Sequence, residues 1–299
     1  MLARIILILT LSGCYELKSA VTQGKVLLSR RYIYDILQND NLGEEKRQKL
    51  RLVLKAREFA KSLDLNVGTS YDTLSSRPAN LWVLMAARKD SLTPYTWSYP
   101  IIGSVPYKGF FSESEAKEFQ SNFPEYDTHI RTSSAFSSLG WFDDPITPNL
   151  LELPDTELTE TLFHELFHRT VWIKDSVAKN ESGANIFGVL ANINFYRKDP
   201  EKLQKARASL THTLALAQDL KKLVDELNSV FNDDTKSYQD KLALKEKIYK
   251  DSKLPLSPNN AELLHLWIYY EYVEHYKDFF IKNDRSLSLF LNNFEKAPK

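Results

Sequence analysis

The pattern of apolar, charged and helix-breaking residues divides the chain into three regions. Residues 15–65 mix Leu with Lys, Arg and Glu and contain no Pro, which predicts helices. Residues 66–155 hold most of the 12 Pro together with many aromatic and Ser residues, which predicts short strands and turns. No Gly follows Gly188, so the C-terminal third is expected to be mostly helical.

Local signals refine these regions. Residues 100–111 resemble a bent hairpin, and residues 133–142 resemble a strand. Pro200 suits the first turn of a helix that ends near residues 232–234. A last, aromatic helix is predicted near residues 261–280.

Composition narrows the fold class. The chain has 299 residues, 43% hydrophobic, with 39 basic and 39 acidic side chains, so a nucleic-acid-binding surface over most of the molecule is a poor expectation. No internal repeat or long linker is visible. The prediction is one mainly helical α+β domain over residues 14–299.

The N-terminus resembles a lipoprotein signal. Arg4 precedes an uncharged apolar run over residues 5–11, and the run ends in Leu-Ser-Gly-Cys, which is similar to the lipobox of bacterial lipoproteins. The alternative is a buried Cys14 at the start of a core strand. The lipobox implies removal of residues 1–13, export across the inner membrane, acylation of Cys14 and a lipid-anchored position in the bacterial cell envelope. A single Cys also excludes an intrachain disulfide and a cysteine-based zinc cluster.

The motif His-Glu-x-x-His at residues 164–168 is the strongest chemical signal. On a helix, His164 and His168 lie one turn apart on one face, where both imidazoles reach a single ion. Glu165 beside them suits the general base that takes a proton from a zinc-activated water. Two histidines that flank a buried helix by chance are the alternative.

Catalytic zinc takes three protein ligands, and Glu181 is the predicted third. If two helices form an antiparallel hairpin that turns near residues 174–175, Glu181 lies opposite His168. Asn180 is a plausible N-cap of the second helix, with Glu181 in its first turn. Asp175 lies in the turn, about 10 Å along the axis from His168, so it contacts the ligands at most indirectly.

Substrate contacts are less well specified. Residues 135–142 could form an edge strand that pairs with an extended peptide, or a plain core strand. Tyr107 or Tyr126 could donate a hydrogen bond to the developing oxyanion. No role is predicted for the histidines of the late helices, which are His212, His265 and His275.

Several segments in order resemble the predicted bacterial aminopeptidases, a family of zincin-related proteins that are often lipoproteins. The similar segments are residues 23–31, 103–111, 139–145, 164–168, 180–182 and 259–261. Three residues depart from the family pattern: Phe167 stands where a small residue is expected, Arg169 where Gln is expected, and Gly183 where an aromatic residue is expected. The Gly-x-Met-Glu-Asn sequence that binds the free amine in well-known zinc aminopeptidases is missing.

The resemblance implies a zincin-like domain with a small β region before the metal helix and a helical C-terminal part. It also implies a membrane-tethered zinc peptidase that cleaves peptide substrates as an aminopeptidase, with no nucleic-acid partner. Two alternatives remain: an endopeptidase, and a non-enzymatic lipoprotein in which zinc staples two helices.

Overall fold

The structure is a computed structural model that describes residues 26, 28–78, 81–99, 103–133 and 144–297. It is mainly helical, with 59% helix and 13% strand, which confirms the predicted α+β class. The strands β1 to β7 are Arg30–Tyr32, Thr73–Ser75, Leu81–Arg88, Trp97–Tyr99, Gly103–Val105, Tyr107–Phe110 and Tyr126–Ser133. The helices α1 to α11 are Ile33–Asn39, Glu44–Ser62, Glu113–Gln120, Pro148–Glu152, Asp155–Thr170, Val177–Phe195, Pro200–Phe231, Tyr238–Asp251, Asn260–Trp267, Val273–Lys282 and Leu287–Asn293. Within these described residues, no helix combines the length and apolar character needed to cross a bilayer.

Three antiparallel strands form the largest sheet, in the order β6-β3-β7. Met85 on the central strand β3 lies opposite Tyr107 on β6 and His129 on β7. The pairs β1-β2 and β4-β5 form two smaller sheets. In the described part of the chain β7 pairs only with β3, so its other edge faces away from the sheet.

The predicted hairpin over residues 100–111 is wrong in its pairing. β5 pairs with β4, and β6 pairs with β3, so the two strands on either side of Pro106 belong to different sheets. A proline that separates them has a fixed φ and no N–H to donate, which suits a change of direction. The helix α3, capped by the Ser112 side chain, was not predicted. Residues 134–143 lie outside the described residues, so most of the strand predicted over 133–142 is untested.

The helix predicted over 261–280 is broken into α9 and α10. Polar side chains of α6 satisfy the backbone groups that the break leaves free. Ser182 Oγ donates to the Ile268 carbonyl (3.0 Å) and accepts from the Tyr272 N–H (3.2 Å), and Asn185 Nδ2 donates to the Tyr269 carbonyl (2.9 Å). The break therefore depends on contacts with α6, which local sequence does not encode.

The helices α5 and α6 form the centre of the fold and pack against each other as an antiparallel hairpin. Gly188 allows their close approach, because a Cβ at this position would lie 2.9 Å from the Glu160 backbone oxygen and 3.4 Å from the His164 backbone nitrogen. Behind the pair, a fully buried aromatic cluster joins the two helices to α11 and the following 3-10 turn. Its members are Phe167, Phe187, Phe290 and Phe294.

Candidate metal centre

The hairpin brings His164, His168 and Glu181 together as a group that could hold a metal ion. The two histidines lie one turn apart on α5, and Glu181 faces them from α6. The two Nε2 atoms are 3.1 Å apart, and each lies 3.4 Å from Glu181 Oε2. Within the described residues, no further His, Cys, Asp or Glu joins this group.

The charges in this group are strongly coupled. Burial alone would raise the pKa of Glu181, but the two adjacent imidazoles prevail and hold that pKa far below its usual range. Burial opposes charge on His168 as well, yet the Glu181 carboxylate outweighs it and raises the pKa of His168. Glu181 therefore remains a carboxylate at physiological pH, which is the form that ligates a cation.

The loop between the helices is fixed by the side chain of Asn180. Its Oδ1 accepts from the Ile173 N–H (2.8 Å) and its Nδ2 donates to the Ile173 carbonyl (2.7 Å). The prediction that Asn180 is the N-cap of α6 is wrong. The helix begins at Val177, and Ser176 occupies the N-cap position. Glu181 consequently lies just beyond the first turn, still level with His168.

Asp175 lies in this loop and is not part of the metal group. Its carboxylate accepts a hydrogen bond from the Ser104 N–H (2.7 Å) and ties the loop to β5. Gly103 is required beside it, since a Cβ there would lie 2.1 Å from Asp175 Oδ1. The contact steadies the loop that connects the two helices carrying the candidate metal group.

A cavity of about 350 Å³ opens beside the metal group. His164 and Glu165 line it from α5, and Arg131 and Thr132 line it from β7. The remaining walls are formed by residues of α5, α6 and the α9–α10 region, namely Glu160, Thr161, Asn185, Leu266, Tyr269 and Tyr270. Phe167 does not line the cavity and points into the aromatic core, so it does not obstruct access.

Two phenols lie close to the metal group. Burial and then the Glu181 charge raise the pKa of both Tyr107 and Tyr269. Tyr269 also stacks on the His164 ring, with centroids 6.1 Å apart. Tyr126 packs against Tyr95 and Phe123 at the far end of β7, about 17 Å along the strand from Arg131.

Sequence reasoning missed Tyr269, Arg131 and His265. Arg131 donates from Nε to His265 Nε2 (2.6 Å) and from Nη2 to the Tyr269 hydroxyl (2.7 Å). Burial and the adjacent Arg131 charge lower the pKa of His265 to about 2, so its imidazole is a neutral acceptor. Nothing in the local sequence of these three residues distinguishes them from ordinary wall residues; their proximity depends on the break between α9 and α10.

The helix hairpin brings two imidazoles and one carboxylate together beside an open cavity, and Glu165 adds a further carboxylate to the cavity wall. This arrangement defines a protein with a candidate hydrolytic metal centre. A family model described as "Putative aminopeptidase" matches residues 14–256, and the chain belongs to this family. The membership agrees with the resemblance seen in the sequence. No curated protein and no solved structure matches the chain significantly.

Proposed function

We propose that the protein is a zinc-dependent peptidase with a zincin-like domain, and specifically an aminopeptidase. The observation that carries the proposal is the juxtaposition of the His164, His168 and Glu181 group with Glu165 at the wall of one cavity. Membership in the family supports peptidase activity and the preference for N-terminal residues.

The spacing of the donor atoms fits zinc. Ligand atoms of a tetrahedral zinc site stand about 2.05 Å from the ion and therefore about 3.3 Å from one another. The three separations in this group are 3.1, 3.4 and 3.4 Å. Two imidazoles and one carboxylate are also the ligand set of many hydrolytic zinc sites.

Bound zinc would supply Lewis-acid polarisation of the peptide carbonyl and activation of a water molecule. Glu165 lies beside the ligands and accepts the proton of the attacking water, then delivers it to the leaving amine. The Tyr269 hydroxyl accepts from Arg131, which leaves its own proton free to donate to the oxyanion that develops on the substrate. Among the described residues β7 pairs with no strand besides β3, and Asn259 Nδ2 donates to its Thr128 carbonyl (2.9 Å). The part of β7 that lines the cavity, at Arg131 and Thr132, can pair with the backbone of an extended peptide.

The catalytic role of Glu165 is tested with Glu165→Gln. This variant should bind zinc at the same stoichiometry as the natural protein and lose peptide hydrolysis. Glu157→Gln, which changes an exposed acid on the same helix, is the matched control and should remain active. Unchanged turnover in Glu165→Gln would refute the assignment of the base. Failure of the natural protein to bind stoichiometric zinc would refute the metal assignment.

A structural zinc site is the rival interpretation, and the cavity argues against it. Structural sites are closed by four protein ligands, whereas His164 and Glu165 here line an open cavity. An endopeptidase is the second rival. Peptides with free and with acetylated N-termini separate the two activities, since an endopeptidase cleaves both and an aminopeptidase only the first.

The proposal includes a lipid anchor at Cys14 and a place in the bacterial cell envelope. These residues lie outside the described part of the chain, and the support is the sequence pattern alone. Mass spectrometry of the N-terminal peptide should show an acylated Cys14 with residues 1–13 removed. Cys14→Ala should release the protein from the membrane fraction; retention there would contradict the anchor.

A further inference from the structure

Glu160 occupies a distinctive place in the cavity wall, one helical turn before His164 on α5. Both residues line the same cavity. The carboxylate of Glu160 is held by neutral groups only: Ser209 Oγ donates to its two oxygens (3.1 and 3.0 Å), and Asn192 Nδ2 lies 3.4 Å from Oε2. These donors fix its orientation without compensating its charge.

No ion pair among the described residues includes Glu160. By contrast, Asp155 at the start of the same helix is paired with both Lys49 (3.1 Å) and Lys202 (2.7 Å). Burial raises the pKa of Glu160, against the effect of the hydrogen bonds from Ser209 and Asn192. A largely buried carboxylate without a cationic partner is costly, and a ligand that brings a positive charge removes the cost.

The distance from the metal group suits an amine at the substrate N-terminus. Glu160 and His164 are separated by one turn, about 6 Å along the helix. In a peptide, the α-nitrogen lies about 2.5 Å from the carbonyl carbon of its own residue. A hydrogen bond of about 2.9 Å from that nitrogen to a carboxylate extends the reach to roughly 5 Å. Because Glu160 and His164 line the same cavity one turn apart, a first residue whose carbonyl lies at the metal group can reach Glu160 with its amine.

We propose that Glu160 binds the free α-ammonium group of the substrate and so restricts cleavage to the N-terminal residue. This inference rests on the proposed peptidase function and gives it a specificity determinant. Glu160 would also recognise the cationic amine, a role that no residue fills in the absence of the Gly-x-Met-Glu-Asn sequence. The side chain of the first residue would occupy the remaining part of the cavity, beside Leu266 and Tyr270.

The first test measures binding without turnover. Metal-free full-length protein is titrated with L-leucinamide, which has a free amine, and with N-acetyl-leucinamide, which has none. Glu160→Gln keeps one acceptor oxygen, which both Ser209 and Asn192 can reach as they reach Oε2, but removes the charge. It should bind leucinamide about 10- to 100-fold more weakly. Glu157→Gln is the matched control and should bind as the natural protein does. Leucinamide binding that is unchanged in Glu160→Gln overturns the proposal.

If Glu160→Gln does not fold, Glu160→Asp replaces it. The shorter side chain withdraws the carboxylate and should weaken leucinamide binding while binding of N-acetyl-leucinamide stays unchanged; equal leucinamide affinity overturns the proposal here too. N-Acetyl-leucine, with a blocked amine and a free carboxylate, tests recognition by Arg131. Tighter binding of N-acetyl-leucine than of leucinamide would overturn the assignment of the cavity to an amine.

The second test measures specificity with zinc present. The ratio of kcat/KM for a free leucyl peptide to that for its N-acetylated form should fall about 10- to 100-fold in Glu160→Gln. A ratio that does not change overturns the proposal. If the natural protein hydrolyses neither peptide, the peptidase function fails, while the binding measurement still decides the role of Glu160.

Discussion

Metal affinity should fall as the pH is lowered, because the metal competes with a proton for His168. Burial opposes a charge on this imidazole, but the Glu181 carboxylate prevails and raises the pKa of His168 above its ordinary value of 6.5. Only a neutral imidazole ligates a metal. Below the raised pKa, each bound ion therefore displaces a proton from His168, and the apparent Kd should rise about tenfold per pH unit.

The variant Glu181→Gln isolates the cause of this slope. Without the Glu181 carboxylate, only the smaller effect of the Glu165 charge opposes burial, so the pKa of His168 should fall. Zinc affinity should then be weaker overall and less dependent on pH near neutral pH. Competition with a chromophoric chelator from pH 5.5 to 8 measures both slopes, and His212→Gln, an exposed histidine on α7, is the control. A flat profile in the natural protein, or an equal slope in Glu181→Gln near neutral pH, would refute the reasoning.

The stability of the metal-free protein should show the opposite dependence. The raised pKa of His168 contributes stability below the unfolded value near 6.5, and this contribution is lost as the pH rises through the folded pKa. The depressed pKa of Glu181 contributes stability above the unfolded value near 4.5, and this is lost only as the pH falls through the folded pKa. If the site binds zinc as proposed, the increase in Tm on zinc addition should consequently grow between pH 6 and 8.

Three substitutions test how the site is built. Asn180→Ala removes two buried hydrogen bonds from the loop and should lower the free energy of unfolding by about 2–4 kcal/mol, measured by urea denaturation; a loss under 1 kcal/mol would contradict the role of Asn180. Gly188→Ala forces α5 and α6 apart and should weaken zinc binding in spite of the better helix propensity of Ala, so unchanged zinc affinity would be inconsistent with the close approach. Tyr269→Phe should reduce kcat by about 10- to 1,000-fold with little change in zinc stoichiometry, and equal kcat would remove Tyr269 from the reaction.

The sequence predicts best those parts of the site that depend on helix geometry alone. His164, Glu165 and His168 are fixed relative to one another by the helical repeat, so their spacing on the chain determines their spacing in the fold. Glu181 follows from one further assumption, an antiparallel hairpin with a short loop. The assumed N-cap at Asn180 failed, because an Asn that hydrogen-bonds a loop backbone and an Asn that caps a helix are alike in local sequence.

The walls of the cavity could not be predicted in this way. Arg131 comes from a strand that was not predicted, and Tyr269 from a break inside a predicted helix. Glu160 lies on α5 with the two histidines, yet its hydrogen-bond partners Ser209 and Asn192 come from two other helices. Each of these placements is decided by packing between elements distant along the chain, for which apolar periodicity carries no signal.

Two of the three departures that the resemblance implies, Phe167 and Gly183, lie against each other in the core behind the metal group. A Cβ at Gly183 would lie 2.4 Å from the Phe294 ring and 3.3 Å from the Phe167 ring, so the space of a larger residue at position 183 is filled by these two aromatic side chains. Phe167 lies on the face of α5 that points away from the cavity. Gly183 lies on α6, two residues after Glu181. Aromatic volume in the core behind the ligands keeps α5 and α6 packed. Substitutions in this core can therefore exchange volume between helices while the ligands and Glu165 keep their positions, provided that the total volume is retained.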